Sequence, residues 1–280
     1  MGSAQRAGLA VTAPFSRHTN ISTMKTPPKN EYPRPNLKRA HWLNLNGQWG
    51  FATDPDNLGI RQQWWLREKW PETITVPFCP NSPASGVQID PDITTVWYHR
   101  TFELPDWASA DVVLNIGACD YHSQIYINSQ QAGEHQGGYT PIHLSIGDYL
   151  KPGTNHIVVR ATDSDSWQQP RGKQEGTTRW PIDYDAVIGI WQSVWLEPTN
   201  AVHITHLGSH YDLRAQQLHL TCTLSDQFHG QLAAHLRTND LDVAATSAEG
   251  QARSELRITL DVADPRLWSP EQPFLYDLAL

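Results

Sequence analysis

Two aspartates, Asp183 and Asp185, are separated by a single residue in the stretch RWPIDYDAVIGIWQSVWLE, residues 179–197. A carboxyl pair can work on a glycosidic bond, one group protonating the leaving oxygen while the other attacks, roughly 5 Å apart on opposite sides of the reacting carbon. Alternate residues of a strand face the same way, so both acids would meet a ligand from one wall. That placement suits holding a ligand better than cleaving it. An ionised aspartate is acceptor-only and can fix a hydroxyl by a charge-assisted hydrogen bond.

PRGKQ, residues 170–174, lies in the long connection before GIWQ, where ligand contacts concentrate. Arg171 can meet a hydroxyl or a carboxylate, or it can dock the loop against a neighbouring domain, and Lys173 and Gln174 carry the same two readings. Trp64, Trp65, Trp167 and Trp180 fall in loops, where an indole can bury the apolar face of a sugar or contact another domain. Trp49, Trp97, Trp191 and Trp195 sit in alternating strands and are expected in the interior or at a seam. His203, His206 and His210 do not share one strand face, so no metal site is expected. AGEHQGGYTP opens no helix and reads as a turn between strands, not as a phosphate loop. No nucleophile-elbow pattern is present, and no cofactor is expected.

These residues must be held by strands. Residues 1–36 are polar, Pro-rich and without periodicity, and are expected to form a flexible arm. From 37 to 198 the segments LNGQWGF, TVWYHRTFEL, DVVLNIG, SQIYIN, HLSI, NHIVVRAT and QSVWLE are short, β-branched or aromatic, and bounded by turn residues. In TVWYHRTFEL, Val96, Tyr98, Arg100 and Phe102 share one face and Trp97, His99, Thr101 and Glu103 the other. Residues 199–280 continue with VHITHL, QLHLTCTL, GQLAAHLRT, LDVAAT, ELRITLDV and FLYDLAL. These suggest an immunoglobulin-like sandwich that is expected to lack its last strand, since such a fold has about seven. Eleven of the twelve tryptophans precede residue 198, which marks two differently built units. The absence of any long amphipathic helix pattern argues against a parallel βαβ fold.

Composition narrows the function further. The 280 residues are 39% hydrophobic, enough for two cores, and 29 acidic against 21 basic residues leave a net charge of −8. That field repels nucleic acid and anionic membranes, so neither is an expected partner. No apolar run is long enough for a membrane span, and AGLAVTAPF is too broken for a signal peptide. Three widely spaced cysteines fit neither a disulfide framework nor a zinc knuckle and point to a reducing cytoplasm.

The motifs LNLNGQWGF, ITVPFCPNSPASGV, TVWYHRTFELP, GACDYHSQIYIN, AGEHQGGYTPIHL, GTNHIVVRATDSDS, PRGKQ, GIWQSVWLEP and LWSPEQPFLYDL occur in that order. Together they resemble the amino-terminal half of glycoside hydrolase family 2, the β-galactosidases, β-glucuronidases and β-mannosidases. The resemblance implies a jelly-roll sugar-binding domain, an immunoglobulin-like domain and a (β/α)8 barrel carrying the catalytic glutamates. A barrel needs about 250 further residues. No catalytic residue is therefore expected here, and the barrel becomes a partner, in cis or as a separate chain. The resemblance also assigns Asp183, six positions before Gly189, to a sugar hydroxyl, and puts Asn81 of VPFCPNSPASG near the sugar. With Arg171 these are the expected substrate-binding residues. The expected function is the non-catalytic sugar-binding and bracing region of a hydrolase of terminal β-linked sugars. A stand-alone carbohydrate-binding module and a structural interaction protein without ligand affinity are the alternatives.

Overall fold

The computed structural model describes residues 26–34, 36–107, 111–164, 166, 168–170, 172–175 and 184–280. The first unit is a sandwich of two antiparallel sheets. One has six strands in the order Glu72–Val76, Gly47–Thr53, Thr95–Glu103, Thr154–Thr162, His122–Ile127 and Gln130–Gln136. The other has four, in the order Leu43–Asn44, Val194–Thr199, Asp111–Ile116 and Ile142–Ser145. Strand alternation sends Trp49, Phe51, Val96, Tyr98 and Phe102 of the larger sheet against Leu114, Ile116, Val194 and Leu196 of the smaller. Long crossovers join both sheets: Thr154–Thr162 pairs with Thr95–Glu103 in the larger and Val194–Thr199 with Asp111–Ile116 in the smaller, as expected of a jelly roll. Helix is confined, among the described residues, to the three short 3-10 turns Trp64–Leu66, Pro83–Ser85 and Gly147–Tyr149.

The larger sheet buries both faces. Trp97 points away from the main core, yet it is fully buried, and its Nε1 donates to Asp54 Oδ2 at 3.0 Å. The Asp54 carboxylate also accepts from the backbone N–H of Leu58 and Gly59, which folds the following loop back over the sheet. Trp64 then packs 5.9 Å from Trp97, and Trp65 stacks on Tyr126 with ring centroids 4.9 Å apart. Trp64 and Trp65, expected as ligand or domain contacts, instead close this second core. Their loop position concealed that Trp97 and Tyr126 make the outer face apolar as well.

A second departure concerns residues 26–34, which are fastened to the sandwich and do not form a loose arm. Tyr32 Oη donates to Glu197 Oε1 at 2.5 Å, Arg34 Nη2 to Glu197 Oε2 at 2.5 Å, and Arg39 Nε to the same oxygen at 3.0 Å. Trp195 Nε1 adds a fourth bond to Oε1 at 2.5 Å, and the carboxylate is only 1% exposed. Arg39 Nη2 also donates to Ile204 O, which joins this cluster to the second unit. Proline enrichment fits an ordered extended strap as well as a disordered one, and the buried acceptor decides between them.

The second unit comprises Ile204–Asp212, Gln217–Thr238, Leu241–Asp261 and Asp277–Ala279. Two pairs of segments read as separate strands are continuous here, in a 22-residue and a 21-residue strand. Leu220 and Leu236 belong to one core cluster although a straight strand would hold them roughly 50 Å apart. The long hairpin must therefore fold over on itself. Its pairing breaks between Thr223 and Phe228, and Gly250 lies so near Phe228 that a Cβ there would meet the ring at 2.5 Å. The bend converts one hairpin into two facing layers.

Burial alone would raise the pKa of Glu197, but the Tyr32 and Trp195 hydrogen bonds and the Arg34 charge outweigh it and hold it below the usual carboxylate range. Its stabilisation is thus complete above the unfolded-chain value, about 4.3, and is lost as pH falls through the lower folded value. Glu197→Gln is expected to lower stability by about 2–3 kcal/mol at pH 7. In urea unfolding followed from pH 7 to pH 3, the gap to the parent chain should shrink only in the most acid samples. A gap independent of pH would contradict the role given to the charge.

Candidate functional site

GIWQ and GACD, far apart in sequence, meet at one end of the sandwich. Gly189–Ile190 pairs antiparallel with Cys119–Asp120, with Gly189 opposite Asp120. The turn after Gln130–Gln136 crosses above this pair. A Cβ at Gly138 would lie 2.2 Å from Asp120 Oδ1, so only glycine lets the turn approach so closely. Trp191 Nε1 donates to Gly138 O at 2.8 Å, and the Tyr139 ring meets the Trp191 ring edge-on at 6.1 Å.

These groups border an open cavity of about 550 Å³. Asp120, only 4% exposed, lies against it, with Trp191, Tyr139, Phe78 and Tyr184 as an aromatic surround. Gln174 is the tie between loops. Its Oε1 accepts from Val187 N at 2.6 Å, its Nε2 donates to Tyr139 Oη at 3.3 Å, and its side chain also hydrogen-bonds Asp120. Gln174–Glu175 runs parallel to Tyr184–Asp185, so the PRGKQ and IDYD segments expected to serve one site do lie side by side. Burial pushes the Asp120 carboxyl up to about 6, the Asp163 charge adds to this, and the Gln174 hydrogen bond partly opposes it.

The expected site residues fare differently. Asp183 and Arg171, with Trp167 and Trp180, lie outside the described residues. Asp185 is exposed and borders the cavity. Asn81 borders a smaller adjoining cavity of about 270 Å³ with Asp92 and Asp163, and its Oδ1 is buried without a hydrogen-bond partner among the described residues. Its loop still reaches the larger cavity through Phe78, Cys79 and Ser82, and Val187 borders both. Trp191, expected in the interior or at a seam, is half-buried at the cavity edge, just past the Gly189–Ile190 strand. Asp120 and Tyr139 were not singled out from sequence. The readable signal for Asp120 was a carboxylate within the apolar GACDY strand, a position that demands a partner or a ligand. No cluster of three or more His, Cys, Asp or Glu able to hold a metal occurs among the described residues, and His206 and His210 are exposed.

Comparison with known proteins gives two family matches that together run from 43 to 280. Residues 43–199 match the model for the sugar-binding domain of the glycosyl hydrolases family 2, and residues 202–280 match a second model of that family. A β-glucuronidase of Paenibacillus borealis is 28% identical over 268 residues, covering 88% of this chain and 43% of the relative. A β-galactosidase of Thermoanaerobacter pseudethanolicus is 23% identical over 247 residues, covering 85% of this chain and 32% of the relative. The chain thus spans less than half the length of these curated relatives. Among solved structures, a Ruminococcus gnavus β-glucuronidase in complex with a C6-substituted uronic isofagomine superposes with a TM-score of 0.70 at 20% identity. It covers 91% of this chain and 44% of that one. At that identity the likeness shows the fold.

The arrangement around Asp120 has a direct spectroscopic test. In a carboxyl-carbon NMR titration, Asp120 of the 280-residue chain should titrate near 6. Gln174→Leu removes the opposing donor and should move the midpoint upward, whereas Asp163→Asn removes a neighbouring charge and should move it downward. Shifts of the opposite sign would show that Gln174 and Asp163 do not act on this group as described.

Proposed function

The chain belongs to glycoside hydrolase family 2, and from that premise we propose that it forms the sugar-binding wall of a hydrolase acting on terminal β-linked sugars. The catalytic barrel would be supplied in a longer chain or by a partner. Among the described residues helix is limited to three short turns, and no (β/α)8 barrel is present. The observation that carries the reading is the buried Asp120 carboxyl beside a cavity whose surround includes Trp191 and Tyr139.

A sugar presents hydroxyls at its rim and C–H groups on its faces. A carboxylate held by Gln174 can accept from the hydroxyls, while an aromatic ring covers the apolar face. Because burial keeps the Asp120 pKa near 6, the group is an acceptor at neutral pH and becomes partly a donor in mild acid. Lys173 and Asp185, from the paired PRGKQ and IDYD segments, border the same space. The expected hydroxyl contact of Asp183 and the contact of Arg171 fit this reading, since both belong to those segments. The second unit braces the barrel. The three cysteines are free thiols, which supports a reducing, cytoplasmic setting.

Binding and turnover separate the possibilities. The 280-residue chain should bind simple pyranosides weakly, at millimolar concentrations, and Asp120→Asn or Trp191→Ala should each weaken binding roughly tenfold at pH 7.5. The same chain should release no chromophore from nitrophenyl β-glycosides. Turnover that disappears in Asp120→Asn would assign chemistry to this unit and overturn the proposal.

A further inference from the structure

Away from the cavity, the outer face of the larger sheet carries a histidine pair. His99 of Thr95–Glu103 and His156 of Thr154–Thr162 bring Nε2 and Nδ1 within 3.3 Å, and their ring planes differ by 26°. The centroids are 5.6 Å apart, which is the nitrogen separation plus two ring radii, so the rings meet edge to edge with these nitrogens facing one another. One proton fits between them, donated by either ring. A first added proton leaves that bond intact, because an imidazolium still donates to a neutral imidazole. A second places two N–H groups head to head and breaks it.

Trp70 closes over this pair. Its indole lies parallel to the His99 ring, 9° apart in plane and 5.5 Å between centroids, and presses on Gly50, where a Cβ would meet it at 2.8 Å. The seat is poised to open, for Trp70 Nε1 is buried there without a hydrogen-bond partner among the described residues, a penalty that access to water would remove. We propose that the His99–His156 bond is an acid-sensitive latch: intact, it holds the ring on which Trp70 is seated, and its loss to a second proton lets residues 67–71 lift from the sheet. Burial, and after it the His156 charge, lowers the His99 pKa to about 4. A histidine freed into water titrates near about 6.5, so the open form takes up the proton first. The latch is therefore shut above that value and loosens as pH falls from there toward 4. Around the pair, the paired strands contribute Glu103, Arg160 and Tyr126 on the same face, and the loop itself carries Arg67, Glu68 and Lys69. Gly47–Thr53 and Glu72–Val76 add no ionisable group there, since Glu72 pairs with Phe51 on the opposite face.

The test is fluorine NMR of the fluorotryptophan-labelled 280-residue chain, with the Trp70 signal assigned by Trp70→Phe. Between pH 7.5 and 4.5 an open-state Trp70 signal should grow by up to roughly tenfold per pH unit, while the signal of buried Trp195 holds still and shows the sandwich intact. In His99→Gln the amide can still bond His156 but takes up no proton, so the Trp70 response should vanish. His156→Gln removes the neighbouring charge and keeps the burial, so the response should shrink without vanishing. A Trp70 signal unchanged down to pH 4.5 in the parent chain, or a response of full size in His99→Gln, would overturn the latch. Should His99→Gln lose the Trp195 signal and with it the fold, a response of full size in His156→Gln would overturn it instead.

Discussion

A carboxylate buried to 1% exposure is tolerable only if every lone pair facing inward has a donor, and Glu197 meets that condition with four. Those donors come from Tyr32, Arg34, Arg39 and Trp195, so the requirement draws the amino-terminal strap onto the last strand of the sandwich. Arg39 extends the same cluster to Ile204 at the start of the second unit. One electrostatic constraint thereby positions three things: the strap, the closing strand Val194–Thr199 and the connection between the units. Because the strap continues back to Lys29, the constraint also reaches the cavity.

The cavity end depends on backbone proximity more than on charge. Asp120 is brought to the surface of the space by pairing with Gly189, and its freedom is removed by Gly138 above and Gln174 beside it. Neither glycine could carry a side chain without collision, since a Cβ at Gly189 would meet Tyr98 Oη at 2.1 Å. Aromatic and polar groups around the cavity thus come from rigid strand ends and from loops tied together by a single amide. Loops anchored in this way can hold a weak ligand without ordering first, which lowers the entropic cost of binding.

Much of this was legible from residue order, and the failures have physical reasons. Alternation in TVWYHRTFEL put Val96, Tyr98 and Phe102 on one face, and that face packs into the main core. The same rule could not tell that Trp97 faces a second core, since that depends on a distant loop pinned by Asp54. Strand counting overestimated the second unit because a bulge at Phe228 bends a strand without ending it. At the site, PRGKQ and IDYD each drew attention as segments, but their pairing was not readable, nor was Asp120, whose place arises only when GACD and GIWQ pair. Asn81 shows the limit at the level of one side chain: its loop borders the larger cavity through Phe78, Cys79 and Ser82, while Asn81 itself borders the adjoining one.

The division between holding and cleaving follows from the same geometry. Asp120 and Asp185 both project from one end of one sandwich, where Gly189 pairs with Asp120 and follows Asp185 by four positions in sequence. Acid and nucleophile must approach the anomeric carbon from opposed directions, and a single sheet end offers one direction. A second body has to stand across the opening to complete such a reaction. Under the proposed function, a wall left open on its far side leaves room for such a body, which a cavity closed by its own loops would exclude.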